Sequence, residues 1–421
     1  MAQAAELEER HRMTTQTQPV ADPDTLDLTD PQTYQDNDPH RMWQTYRENH
    51  PVFWHRARHG NPGFWVLTRY RDIMAAYRDN KRYTSEQGNV LTTLLRGEDS
   101  ASGKMLAVTD GPRHREIRNL MMKSFSPRVL EPVVANVRQR TEELVAQAVE
   151  RGELDFVTEV ADQIPIHTIG DLMGIPDADR EQVLEWNAKT LSRYSSEESE
   201  LESVMARNEI VLYISQLVAE RRRNPGEDVL STLSAATVAG VPLSDDEIVL
   251  QSYSLILGGD ESSRATAAGA VRAFSEHPDQ WRRLKNGEVT LESATEEVMR
   301  WTTPTMHFGR HALVDVPIHE HTVKAGEIVT LWNSSANFDE EVFADPYTFD
   351  LGRTPNKHVS FGHGPHFCLG AYLGRVHMNA MLEALRTRVE KIEVLGTPTR
   401  LFSNFVNCHS GMRVRLTPAA A

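Results

Sequence analysis

Cys368 stands in the stretch 360-SFGHGPHFCLGA-371, one of two cysteines in the chain, among three glycines and two histidines. A metal-bound thiolate needs donors around it, because a bare buried anion is costly. A glycine-rich turn that leads into a helix supplies them, since its free N–H groups and the positive helix end favour the thiolate. Phe361-Gly362-His363-Gly364, then Cys368-Leu369-Gly370, then the helical pattern 369-LGAYLGRVHMNAMLEALR-386 have that form. Zinc is set aside, because no second cysteine lies at ligand spacing and Cys408 is remote. A catalytic cysteine–histidine pair stays open, as does an inert buried thiol, the commonest fate of a lone cysteine. Haem–thiolate ligation is the most economical of the three readings.

A second group with chemical content interrupts the helical pattern 244-SDDEIVLQSYSLILGGDESSRATAAGAVRAFSEHP-278. Ser244 and Glu247 have capping-box spacing, Asp245 and Asp246 suit the helix dipole, and Pro278 closes the segment. Gly258 and Gly259 each cost about 1 kcal/mol relative to alanine in a helix interior. Asp260, Glu261, Ser262 and Ser263 follow where the buried stripe should continue. One reading is a tolerated kink with the acids on a solvated face. The other is that the glycines admit a flat ligand and Ser262 bonds back to a carbonyl, locally opening the ladder to water. Glu261 and Ser262 would then pass protons inward. The helix alone leaves both open.

Glu297 and Arg300 lie three residues apart on one helical face. In isolation such a pair is a surface salt bridge worth about 0–1 kcal/mol. Downstream, 349-FDLGRTPNKHVSFGHG-364 has neither helical nor strand period, so its backbone groups need partners. Glu297, Arg300 and Arg353 together would supply charged donors and acceptors, a structural role.

These residues must be positioned by elements the pattern also specifies. The chain reads as mostly helical, with helical stretches at 132–152 and 204–226, the second stopped by Asn-Pro-Gly. PVFWH and FWVLTRY, separated by RARHGNPG, read as paired strands, and GRHALVDVPIHEHTVKAGEIVTLW alternates like further strands. Segments 84–104 and 194–199 read as mobile loops, and residues 1–29 as a flexible tail. Nothing resembles a linker, so the expected architecture is one large domain, mostly α with a small β portion.

The 421 residues are 39% apolar and 25% charged, ordinary for a soluble globular chain. No apolar run approaches the roughly 18 residues of a membrane span, and no partner membrane is expected. Two cysteines exclude a disulfide framework and suit a cytoplasmic location. Lysine and arginine number 45 against 60 acids, a net −15 that argues against nucleic acid as partner.

On these residues the chain resembles the cytochrome P450 family, in the style of its soluble bacterial members. FGHGPHFCLG matches the family's haem-binding pattern, 294-ATEEVMRW-301 carries its Glu-x-x-Arg, and GGDESS falls where its oxygen-activation helix belongs. The segment 109-TDGPRHREIRNLMMKSFSP-127 resembles the helix whose His-x-x-x-Arg holds the haem propionates. The resemblance covers residues 30–416 and implies a single large P450-type helical domain binding haem b (iron protoporphyrin IX). It makes Cys368 the axial thiolate and metal ligand, with Phe361 beside the sulfur and Gly370 in the binding loop. His114, Arg118, Arg310 and His366 would bind the propionates, Glu261 and Ser262 would deliver protons, and Glu297, Arg300 and Arg353 would form the structural triad.

Three positions depart from the family pattern. Ser262 replaces the commoner threonine, which predicts poorer control of water and peroxide leakage. Phe338 in 336-ANFDE-340 replaces an arginine without an evident reason, and 374-GRVH-377 replaces Ala-Arg-x-Glu, bearing on packing or docking.

The implied reaction inserts one atom of O2 into a C–H bond. No flavin or nicotinamide fingerprint is present, so electrons would come from a ferredoxin and a ferredoxin reductase, docking at Arg113, Arg115, Arg118 and Arg375. Substrate contacts would come from regions 84–106, 186–211, 255–259 and 305–308 and from Phe405-Val406. Val90, Leu94, Leu255, Gly258, Met306, Phe405 and Val406 are the candidate lining, together with Leu91. With the polar Asn187, Arg193, His307 and Asn404, they suit a medium-sized, partly polar small molecule.

LAVTDGPRHREIR and GGDESSR resemble members that modify amino acids in peptide-antibiotic synthesis, some on a carrier protein. An amino acid or carrier-bound aminoacyl group is therefore the candidate substrate. Desaturation, aromatic coupling and nitration use the same scaffold, and a haem-binding sensor without turnover is the reading from another class. A peroxide-driven enzyme is disfavoured by the presence of Glu261 and Ser262.

Overall fold

The computed structural model describes residues 25–37, 39–97, 99–191 and 197–420. Val52–His55 and Phe64–Leu67 pair antiparallel across the Gly- and Pro-containing turn, in the register Val52 to Leu67. Ile328–Trp332 adds parallel to the second of these, and His307–Ala312 and Tyr83–Thr84 complete a five-stranded sheet. Ile328–Trp332 is buried at every position, as a strand covered on both faces requires.

The remainder is dominated by helices around Asp245–Glu276, 32 residues and about 48 Å long at 1.5 Å per residue. Its capping box is complete: Ser244 Oγ accepts from the Glu247 N–H, and the Ser244 N–H donates back to Glu247 Oε2. The central helix packs against Gln163–Met173, Glu197–Arg223, Leu291–Thr302 and Ala371–Arg388, the ring of elements that builds the main apolar core. The fold is mostly α with a small β portion.

The expected loop at 84–104 contains the helix Leu91–Arg96, followed by the 3-10 turn Leu106–Val108. Leu91 and Leu94 drive this ordering, because both are buried in an aromatic cluster with Trp43, Phe64 and Trp332. Of the other expected loop, residues 194–196 lie outside the described residues, while 197–199 open the helix Glu197–Arg223. Residues 1–24 of the expected tail are likewise outside. Residues 25–29 are docked: Leu28 is buried, its N–H donates to His55 Nε2 at 3.1 Å and its carbonyl accepts from Tyr34. At the other end the strand Arg413–Pro418 carries the body past residue 416.

Glu297 and Arg300 are fully buried, the opposite of a surface pair. Arg300 Nε and Nη2 donate to the two Glu297 oxygens at 2.8 Å each, and Arg353 Nε reaches Oε2 at 3.1 Å. Arg300 also donates to the carbonyls of Asn337 and Pro346, and Arg353 to those of Ala344, Asp345 and Thr348. The carbonyls served thus lie just ahead of the expected segment 349–364, in which the triad takes one backbone group, the Asp350 N–H on Glu297 Oε1. Phe338 acquires a packing reason here. Its ring lies 5.0 Å from Arg300 Cζ and packs with His40 and Trp301, so an aromatic face covers the buried cation.

Candidate active site

Gly362 and Gly364 adopt positive φ, and a Cβ on Gly364 would collide with the Tyr77 carbonyl. This tight path lets the Cys368 N–H donate to the Phe361 carbonyl at 2.9 Å and delivers the cysteine to the start of Ala371–Arg388. Gly370 is the N-cap with an ordinary φ of −85°, and a Cβ there would meet nothing within 4 Å. Burial pushes the Cys368 thiol up, while a Gly370 backbone hydrogen bond and then Arg118 and Arg375 act to lower it. Cys368 nevertheless keeps accessible surface. Cys408 is buried and pushed up to about 12 by burial, which makes it an inert thiol.

Basic side chains gather where the resemblance places the propionates. His114 and His366 have ring centroids 4.4 Å apart. Burial, then His366 and Arg118, lower His114 to about 4, so its imidazole is neutral, and its Nε2 is buried without a partner. Arg310 is buried over the Tyr77 ring and donates to the carbonyl of its neighbour Gly309. Among the described residues neither Arg118 nor Arg310 enters an ion pair, although both are depressed by burial. Two desolvated cations and an orphaned imidazole nitrogen fit a ligand edge that carries carboxylates.

His366 is held by a residue the motif did not signal. Asp110 Oδ1 lies 2.8 Å from His366 Nε2, while Oδ2 accepts from Thr84 Oγ1 and the Ser85 N–H. Any propionate contact of His366 thus falls to Nδ1. Asp110 precedes the helix Gly111–Ser124 and would be read as its cap, yet it makes no cap bond. Its carboxyl is held at about 2 against burial by His366 and Thr84.

On the central helix, Gly258 is open, with no atom within 4 Å of a Cβ position, while its neighbours Ile256 and Asp260 are buried. Ser262 Oγ donates back to the Gly258 carbonyl at 2.9 Å. The expected opening of the ladder is absent, since the helix runs unbroken through the glycines. The acids do not lie on a solvated face. Glu261 is buried and paired through Oε1 with Arg264, which also reaches Asp162, and its Oε2 has no partner. Asp260 is buried against Asn187 Nδ2 and raised to about 7 by burial and then by Glu261.

The candidate pocket residues divide. Val90, Leu255, Gly258 and Phe405 keep accessible surface, whereas Leu94, Met306 and Val406 are buried. Leu94 and Met306 belong to the aromatic core with Trp332, so apolar type there reports packing. Among the polar set, Asn404 donates to the Thr29 carbonyl, Asn187 is committed to Asp260, and Arg193 lies outside the described residues. His307 is buried against Trp332 and Phe405.

The expected basic docking set is also partly spent. Arg113 pairs with Glu247 and Arg375 with Glu296, leaving Arg115 exposed.

Among the described residues no three His, Cys, Asp or Glu side chains converge as a metal set. None of the helices of the described residues is long and apolar enough to cross a membrane.

The chain is similar to known proteins over most of its length. The family model described as Cytochrome P450 matches residues 288–388. Cytochrome P450 NovI from Streptomyces niveus is 42% identical over 95% of this chain and 99% of its own length. A Steroid C26-monooxygenase from Mycobacterium tuberculosis is 31% identical over 91% of each chain. The crystal structure of P450 OxyD, involved in the biosynthesis of vancomycin-type antibiotics, superposes with a TM-score of 0.86 at 28% identity, covering 94% of this chain and all of that one.

Proposed function

The chain belongs to the cytochrome P450 family and is a monooxygenase, and from that premise we propose that it oxidises a C–H bond of an amino acid or carrier-bound aminoacyl group in antibiotic-type biosynthesis. Haem, when bound, supplies the activation of O2 and the insertion of one oxygen atom, with electrons from external donors of the ferredoxin and reductase kind.

The chain's own residues divide the remaining work. Cys368 would hold the iron as a thiolate, from a loop in which a Gly370 backbone hydrogen bond favours the anion. His114, Arg118 and Arg310 would hold the carboxylate edge of the group. Gly258 leaves room beside the central helix, and Ser262, one turn on, offers a hydroxyl anchored to the Gly258 carbonyl. Glu261 Oε2 has no hydrogen-bond partner, while Arg264 fixes the other oxygen and so limits which way the carboxyl turns. This junction of Gly258, Glu261 and Ser262 is the observation that carries the reading of a turning-over enzyme over a sensor.

The antibiotic-type setting is supported by the likeness to OxyD, and the amino acid class by the resemblance of the GGDESSR stretch, rather than by Asn187 or Asn404. A steroid, for which a sterol is the probe, is the second reading, favoured by the 31% identical Steroid C26-monooxygenases. The haem spin state of the purified holoprotein, titrated with free amino acids, the same amino acids on a carrier protein, and a sterol, separates them. A shift with the carrier-bound set alone supports the proposal and makes the carrier a partner. A shift with the sterol alone overturns it. Product analysis then separates hydroxylation from desaturation, coupling or nitration.

Ser262→Ala is expected to leave haem binding intact and to lower product formed per electron pair severalfold, the remainder appearing as peroxide. Unchanged coupling removes Ser262 from the proton path.

A further inference from the structure

Arg375 reads from sequence as one of a basic docking set, but the fold gives it another setting. Its Nε and Nη2 donate to Glu296 Oε1 and Oε2 at 2.6 and 2.9 Å, a bidentate pair, and Nη1 reaches the Ala371 carbonyl at 3.3 Å. Held this way, the guanidinium lies 4.5 Å from the centroid of the Phe361 ring. Glu296 is fixed in turn from the opposite side. The Ser360 N–H points to His358 Nδ1 at 3.3 Å, which leaves Nε2 as the protonated nitrogen, 3.1 Å from Glu296 Oε2. Ser360 and His358 belong to the same segment as Phe361, so the chain of bonds closes on itself. A Cβ on Gly374 would sit 3.4 Å from the Phe361 ring, so the helix Ala371–Arg388 seats one side of it.

Phe361 is bound to Cys368 through its carbonyl, and Arg375 acts electrostatically on the Cys368 sulfur. We infer that Arg375 is a positioning residue for the thiolate: clamped by Glu296, it fixes the Phe361 ring and places a cation that restrains electron donation from Cys368. The inference rests on the haem–thiolate reading of this site. Lysine at this position could keep the charge but not the planar stack or the bidentate pairing.

The sign of the effect follows from charge. A cation near the iron–thiolate unit favours the ferrous over the ferric state, and an anion near it does the reverse. Redox titration of the purified holoprotein, with the reduced carbon monoxide spectrum recorded alongside, tests this. For Arg375→Gln the ferric:ferrous ratio at a fixed potential is expected to rise about tenfold, equivalent to about 59 mV for one electron. For Glu296→Gln the ratio is expected to fall, and Arg375→Lys should lie between wild type and Arg375→Gln.

Opposite signs for the two partners of one ion pair are not produced by simple loosening of the loop, which would move both variants alike. Ratios within twofold of wild type in all three variants overturn the clamp. So does an unchanged ratio with slowed reduction by ferredoxin, which would return Arg375 to docking. If wild type itself lacks a thiolate-type carbon monoxide spectrum, the haem–thiolate reading fails and the clamp with it. A normal wild-type spectrum with unmoved potentials overturns the clamp alone.

Discussion

Cys368→Ser is expected to bind haem weakly, to lose the thiolate-type spectrum of the reduced carbon monoxide complex, and to turn over at least about a thousandfold more slowly. A thousandfold corresponds to about 4 kcal/mol of barrier. The substitution changes little in volume, and the N–H groups of the loop remain, so the fold should survive. What disappears is the anion. A thiol that burial has raised is still deprotonated by binding iron, whereas a serine hydroxyl is a far weaker acid and a poor donor to the metal. The spectrum is decisive because a surviving thiolate signature would require another cysteine. Cys408 is the remaining one, and its thiol is buried at 4% exposure, directed at the His409 carbonyl and held protonated by burial. Persistence of the signature in the variant would therefore overturn the ligand assignment and the geometry of the cysteine loop together.

Arg300→Ala is expected to cost about 3–5 kcal/mol of folding stability, because it leaves the Glu297 carboxylate buried beside a single remaining cation. Against a total of about 5–15 kcal/mol for a typical domain, that is enough to deplete folded, haem-bound protein. The loss exceeds one ion pair. Arg300 also satisfies the Asn337 and Pro346 carbonyls, and Glu297 accepts the Asp350 N–H and Asn356 Nδ2. Arg300→Lys keeps the charge but cannot serve two carboxylate oxygens and two carbonyls from one planar group, and should fall between. Denaturant midpoints and the haem retained after purification measure both variants. A change under about 1 kcal/mol in Arg300→Ala would mean that the network is relieved by water and does not hold the approach to Cys368.

Much of this site was legible in the chain because the determinants are local. The capping box of Ser244 and Glu247, the shared face of Glu297 and Arg300, and the glycines that turn the chain ahead of Cys368 all act within a few residues. Backbone geometry converts such spacing directly into proximity. The same locality explains why the paired strands around Arg56 to Gly63 could be read from a turn and two apolar runs.

Other features depend on partners that spacing cannot bring together. Asp110 meets His366 across 256 residues and Arg375 meets Glu296 across 79. Nothing at either end marks the match. His377 stands where the family pattern usually has glutamate. It is kept neutral by burial, which lowers it to about 4, and it lies against Ser263 Oγ and Thr168 Oγ1, linking three helices. Phe338 makes sense only once Arg300 is seen beneath it. Leu94 looks like pocket lining until its fold neighbours prove to be Trp43 and Trp332.

The sequence by itself determined the family and the mostly helical class, and singled out Cys368 as the candidate ligand, since each is written in residues close along the chain. Tertiary structure alone decided which charges are spent, which polar groups remain for a ligand, and which apolar side chains face a cleft rather than a core. Desolvation and pairing belong to the packed interior, where residues far apart in the chain first become neighbours.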